Sequence, residues 1–198
     1  TFIYMLDKDY WNKRYIDNKT EWDLGIFSPP IKNWLDQQKD KNINILVPGA
    51  GFGHEVIYAY INGFKNIYYL DYATKAIIKF KKTCPKFPEE QIITQDFFSL
   101  TKNKFFDVIL EQTFFCALEP YLRSEYVKKC YEILGKKGKI IGLLFNTNFN
   151  KVGPPFGGET DEYIELFSKM FNLLEMENSI HSANPRKGNE LWVEFEKK

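Results

Sequence analysis

The stretch that most constrains this chain is ILVPGAGFGHE, Ile45 to Glu55. An apolar run stops at three alternating glycines, Gly49, Gly51 and Gly53, and a helical pattern starts at once. That order describes a strand, a tight turn and a helix N-terminus. Glycine in such a turn lets bare backbone approach a ligand, and the first N–H groups of the helix have no partner within it. A second apolar run ends at Asp71, eighteen residues past Gly53, where a carboxylate can hold ribose hydroxyls. A nucleoside-bearing cofactor is the expectation. The spacing is Gly-x-Gly-x-Gly and not the Gly-x-Gly-x-x-Gly dinucleotide fingerprint. The plainer alternative is a turn without a ligand, with Asp71 capping a helix that starts near Thr74.

Around this turn, short β-branched or aromatic runs predict strands at Ile43–Val47, Asn66–Leu70, Gln91–Thr94, Phe106–Leu110, Lys139–Phe145, Phe171–Ser179 and Leu191–Phe195. Apolar positions three and four apart predict helices at Glu55–Ile61, Lys75–Thr83, Tyr121–Leu134 and Asp161–Met170. Pro120 opens the third of these and Gly135 closes it. Strand and helix in alternation imply an α/β fold, a mostly parallel sheet with helices on both faces. The last two strands have no helix between them and should form an antiparallel hairpin at one edge. Residues 1–40, rich in Trp and Tyr, read as a cap over the C-terminal ends of the strands within a single domain of 198 residues.

Composition excludes several classes. The formal net charge is +1, so nothing marks an electrostatic binder of nucleic acid. No apolar run has the length of a membrane span. Cys84, Cys116 and Cys130 are far apart and form no CxxC, so neither zinc nor a disulfide framework is indicated, and a reducing cytoplasmic setting fits. Aromatic residues reach 17 %, and most of them must be core.

Other residues point to the same ligand. Asp96 and Phe97 follow the third strand, where a carboxylate can accept from an adenine amino group and a ring can pack on the base. Loop capping is the competing role for Asp96. Glu111 and Gln112 end the fourth strand and should face the crevice. Trp11 and Tyr15 share a helical face, and with Trp22 their rings suit a sulfonium cation. Arg123 reads either as a helix-surface ion pair or as a partner for an anionic acceptor. Cys116 reads as packing, because neither His54 nor His181 stands in a triad pattern.

Four motifs in order carry a resemblance: YWNKRYIDNKTEWDLG, LVPGAGFGHE, FFDVILEQTFFCALEPYLRSEY and VGPPFGGET. From about Tyr10 onward the chain resembles the thiopurine S-methyltransferase family of S-adenosylmethionine-dependent enzymes, most closely its halide/thiol methyltransferase branch. The resemblance implies a three-layer, Rossmann-like class I methyltransferase fold with a seven-stranded sheet. It implies that Trp11, Tyr15 and Trp22 enclose the cofactor and acceptor, and that Gly49 and Gly51, with Gly53, approach its methionine portion. Asp71 would bind the ribose, Asp96 and Phe97 would border the adenine, and Glu111 and Gln112 would line the pocket near the sulfur. Trp22, Phe115 and Phe156 would form the acceptor pocket, with Arg123 as a further candidate. No metal is implied.

A sulfonium methyl is already activated, and soft nucleophiles need little base catalysis, since free thiols ionise near pKa ~8.5. With no evident base, a small thiol, bisulfide or halide is the expected acceptor, and a thiopurine or other aromatic thiol is the alternative. The expected partner is thus a small molecule, with no nucleic acid or membrane, and a monomer suffices. Tyr15 and Glu21 stand where the halide branch often has Trp and Pro, which bears on the acceptor. A nicotinamide-dependent oxidoreductase would need the other glycine spacing and a second parallel half. A non-catalytic cofactor-binding module would bind the same cofactor without turnover.

Overall fold

The computed structural model describes residues 6–101 and 105–198. The elements run α1 (Lys8–Ile16), α2 (Pro29–Gln37), β1 (Asn44–Pro48), α3 (His54–Ile61), β2 (Asn66–Leu70), α4 (Thr74–Thr83), β3 (Ile92–Ile93), β4 (Phe106–Gln112), α5 (Arg123–Ile133), β5 (Leu134–Phe145), α6 (Thr160–Phe167), β6 (Phe171–Asn178) and β7 (Glu190–Lys197). One sheet has the order β3-β2-β1-β4-β5-β7-β6. The first five strands are parallel, while β7 lies antiparallel between β5 and β6. This is the expected α/β architecture with its terminal hairpin.

Strand periodicity divides the core. Ile45 and Val47 of β1, with Val108 and Leu110 of β4, pack with Val56, Phe80 and other residues of the α2–α4 side. Leu46 and Ile109 point the other way, toward Tyr126, Cys130 and Phe167 of α5 and α6. The many rings serve this packing. Tyr69 stacks on Phe80 at 4.2 Å, a pair worth about 0.5–1.5 kcal/mol beyond area burial.

Several boundaries differ from the sequence reading: α6 ends at Phe167 and not Met170, and β4 and β7 each run longer than expected. β3 keeps only two residues, because Glu89–Gln91 form a 3-10 turn after Pro88. Pro120–Leu122 is also a 3-10 turn, and α5 starts at Arg123. β5 begins at Leu134, directly after α5, because Leu134 already pairs with Phe106 across an irregularity in the β4 register.

Candidate functional site

The glycine turn leaves the end of β1 with φ values of 56°, 56° and 75° at Gly49, Gly51 and Gly53. Each glycine has a reason visible in its surroundings. A Cβ at Gly53 would lie 2.3 Å from the Phe80 ring, and one at Gly49 would lie 2.4 Å from the Phe114 ring. At Gly51 the nearest atom is the Tyr15 hydroxyl, at 3.0 Å. The turn is tied to β2. Ala50 N–H donates to the Leu70 carbonyl at 2.9 Å, and the Tyr69 hydroxyl donates to the Gly51 carbonyl at 2.8 Å. Asp71 accepts from Gly51 N–H at 2.9 Å on one oxygen and from Ala73 N–H at 2.8 Å on the other. Burial pushes its carboxyl above the usual range, against the pull of those N–H groups. Asp71 therefore joins the glycine turn to the start of α4.

The cap lies on this turn. Asp7 caps α1 by accepting from Tyr10 N–H at 2.9 Å, and Asn12 accepts from Lys75 N–H at 3.0 Å, docking α1 on α4. Trp22 meets Trp11 at 5.5 Å and Tyr15 at 5.6 Å, both edge to face, and Tyr15 also packs on Phe52 at 5.3 Å. Burial and the nearby Asp71 carboxylate push the Tyr15 phenol up, so it stays protonated as a donor. Three polar clasps hold the segment after Trp22. They are His54 Nε2 to Asp23 Oδ1 at 2.8 Å, Ser28 N–H to Glu55 Oε1 at 2.8 Å, and Arg186 to the Trp22 carbonyl at 2.5 Å.

The other half of the site follows β4. Phe115 is buried and stands beside Tyr126, Tyr163 and Phe167. The Arg123 guanidinium sits 4.9 Å over the Phe115 ring, pairs with Glu162 at 2.5 Å and donates to the Gly157 carbonyl at 2.6 Å. Phe156 N–H donates to the Cys116 carbonyl at 2.6 Å, so the Gly-Pro-Pro-Phe loop docks on the Phe115–Ala117 turn. A cavity of about 10 Å³ lies behind, lined by Thr113, Phe115, Cys116, Leu143, Phe145 and Glu190. Burial holds the Cys116 thiol protonated, so it packs and does not act as a nucleophile.

The structure thus gathers Trp11, Tyr15, Trp22, Gly51 and Asp71 around the glycine turn, and Phe115, Phe156 and Arg123 around the β4 end. Other expected residues stand differently. Glu111 was expected to line the pocket, but it is fully buried on the α5 side and gives its oxygens to Phe114 N–H, Phe115 N–H and the Tyr126 hydroxyl. Phe97 is 2 % exposed and stacks on Tyr126 at 5.4 Å, so core packing replaces the expected adenine wall. Asp96 is exposed and accepts from Phe98 N–H at 2.7 Å, the capping alternative. Arg123 spends its two terminal nitrogens on Glu162 and Gly157, so it supports a loop and does not face an anion.

Gln112 is the informative case. Both its amide atoms are buried and lack a hydrogen-bond partner. A buried amide with a free donor and a free acceptor costs stability unless a ligand or water completes it. Gln112 ends β4, the strand next to β1 whose end carries the glycine turn, so its free donor and acceptor fit a polar ligand held at the C-terminal edge of the sheet. Phe52, packed on Tyr15, and Phe114, packed on Gly49, were given no role by the sequence reading although both lie inside its motifs, because an aromatic residue in a motif carries no sign of which side it packs on. A separate concavity of about 700 Å³ between Trp34, Ile141, Trp192 and Glu175 contains none of these residues.

A model of the thiopurine S-methyltransferase family matches residues 6–197. The chain belongs to this family. It is an S-adenosylmethionine-dependent methyltransferase. It is 30 % identical over 184 residues to thiocyanate methyltransferase 1 of Brassica oleracea, covering 91 % of this chain and 81 % of that protein. It is 29 % identical over 195 residues to the Arabidopsis thaliana protein of the same name, covering 96 % and 86 %. The fold matches Burkholderia thailandensis 1,6-didemethyltoxoflavin-N1-methyltransferase, solved with its substrate and S-adenosylhomocysteine, at a TM-score of 0.77 and 15 % identity, covering 98 % and 88 %. Among the described residues no helix is long and apolar enough to cross a membrane, and no three metal-ligating side chains converge.

Proposed function

We propose that this methyltransferase acts on a small soft nucleophile such as thiocyanate, bisulfide, a simple thiol or a halide. The observation that carries the reading is the acceptor side itself. It is walled by rings, it holds a small cavity with room for about one water-sized group, and its Cys116 thiol is held neutral by burial. The names of the plant relatives point the same way. A hard oxygen nucleophile would need a placed base or metal.

Bound S-adenosylmethionine supplies an electrophilic methyl group on a sulfonium sulfur. Asp71 holds the ribose, Gly49 and Gly51 admit the methionine portion, and Gln112 completes its amide on the polar end. Trp11, Tyr15 and Trp22 close over the sulfonium and exclude water, while Trp22, Phe115 and Phe156 hold the acceptor on the line of the breaking bond. Orientation of this kind contributes roughly 7–11 kcal/mol. The chain works as a monomeric single domain in a reducing cytoplasm, with residues 1–40 as its cap and no nucleic-acid or membrane partner.

A panel of thiocyanate, iodide, bisulfide, thiophenol and 6-mercaptopurine, with product detection by gas chromatography and by absorbance, tests this. Methylation of the small acceptors alone is expected. Turnover confined to the aromatic thiols would shift the reading to a thiopurine-type enzyme, which the 26 % identity over 201 residues to the Xanthomonas campestris thiopurine S-methyltransferase favours.

A further inference from the structure

We infer that Glu111 is a positioning residue that locks the donor and acceptor halves of the site together through the turn at Thr113. The inference rests on the methyl-transfer reading of this site. Thr113 has φ 59°, a left-handed conformation that a β-branched residue resists. Such a conformation persists only where its surroundings over-determine it. Glu111 supplies that constraint. Its Oε1 accepts from Phe114 N–H and Phe115 N–H, both at 2.9 Å, and its Oε2 accepts from the Tyr126 hydroxyl at 2.7 Å. One carboxylate thus fixes the two residues that follow the strained one.

Those two residues point to opposite halves. The Phe114 ring fills the space where Gly49 has no Cβ, so its position sets the floor of the glycine turn. Phe115 opens the turn whose Cys116 carbonyl receives Phe156 N–H. A shift at Thr113 therefore moves the donor and acceptor sides together. In-line transfer depends on their relative placement.

The carboxylate is costly in this place. The titratable groups facing it are Tyr126 and Cys130 of α5, Cys116 of the following turn and Tyr163 of α6, all neutral when protonated. The nearby Arg123 is already paired with Glu162. Burial raises the Glu111 carboxyl to about 7. Ionised, it accepts all three hydrogen bonds. Protonated, it must donate from one oxygen, and the Tyr126 hydroxyl must turn away.

The test uses Glu111→Gln and Glu111→Ala. Glutamine keeps an acceptor for both N–H groups but presents an NH₂ to Tyr126, as the protonated acid presents a donor. With thiocyanate or iodide as acceptor, neither of which titrates in this range, Glu111→Gln is expected to have a flat kcat profile from about pH 5.5 to about pH 8.5, roughly five- to tenfold below wild type at the upper end, while wild type rises through neutrality. A profile in Glu111→Gln that still rises like wild type overturns the proposal. A second readout needs no turnover. Amide hydrogen exchange in the ligand-free protein should show Glu111→Ala losing protection at Phe114, Phe115 and, across the site, Phe156, with Glu111→Gln restoring it. Exchange at Phe156 that Glu111→Ala leaves unchanged overturns the coupling even if no acceptor is ever methylated. Failure of the acceptor panel with this exchange pattern intact would sink only the proposed acceptor.

Discussion

At the ends of β1 and β2 the protein offers backbone; at the ends of β4 and β5 it offers rings. The side proposed for the methyl donor is a turn of three glycines stapled to β2 by Asp71 and Tyr69. The side proposed for the acceptor is a wall of Phe115, Phe156 and their neighbours, propped from behind by Arg123. Backbone recognition suits a ligand that stays the same across a family, because it leaves few side chains to vary. A wall of side chains can be repacked by single substitutions, so acceptor preference can change without disturbing donor binding.

The sharpest way to break this contrast is to add one carbon to the turn. Gly53→Ala forces a Cβ to 2.3 Å from the buried Phe80 ring at φ 75°. Overpacking with backbone strain should cost about 2–4 kcal/mol, lowering Tm by roughly 5–12 °C in a chain of this size. Gly51→Ala meets only the movable Tyr15 hydroxyl at 3.0 Å. It should cost about 1 kcal/mol of stability from backbone strain, yet weaken S-adenosylhomocysteine binding far more than that loss explains. Calorimetry on both variants separates a glycine needed for packing from one needed for the ligand.

The next effect is on stability against pH, and it belongs to the acceptor side. The Glu111 carboxyl is raised from 4.5 to about 7 in the folded protein. The folded state thus holds a proton that the unfolded chain has lost. This contribution is complete below about pH 4.5 and disappears as pH rises through about 7, for a total on the order of 3 kcal/mol. Glu111→Gln, which cannot titrate, should flatten that part of a denaturant-midpoint profile. Asp71, Glu55 and Glu190 are shifted in the same direction by burial, so a residual slope of the same sign should remain.

Arg123→Met comes third. It keeps a long stem over Phe115 but loses the Gly157 and Glu162 contacts, at a cost of about 2 kcal/mol. The acceptor KM should rise while S-adenosylhomocysteine affinity stays within a factor of about two. Loss of both affinities in parallel would mean that the halves are not separable in this way.

The same contrast explains what could be read in advance. The glycine turn, Asp71 and the strand–helix alternation are local signals, since positive φ needs glycine and buried strands need apolar runs. The terminal hairpin followed from two strand patterns with no helix between them. Glu111 was misread because a polar residue at a strand end faces the crevice or the helix layer according to register. Along β4, Val108 and Leu110 face the α2–α4 side, so Ile109 and Glu111 face the α5 side. Thr113 carries no sequence sign of its left-handed backbone, and Arg186 reaches Trp22 across 164 residues.

The smallest expected effect concerns the join between cap and turn. Asp23 accepts from Gly25 N–H at 2.9 Å and pairs with His54 at 2.8 Å, and both side chains are partly exposed. Asp23→Asn keeps an acceptor for Gly25 but replaces a charge-assisted contact with a neutral one. The loss should be about 0.5–1 kcal/mol, a Tm change of roughly 1–4 °C. Glu55 and Arg186 still hold the flanking backbone of the cap, so the ligand pocket should keep its shape. The change should therefore appear in rates more than in affinity. A cap that opens more easily should speed both binding and release of S-adenosylhomocysteine, with the dissociation constant nearly unchanged in stopped-flow fluorescence of the cap tryptophans. A large loss of affinity at equal rates of release would instead assign Asp23 a direct contact with the cofactor and extend the donor side into the cap.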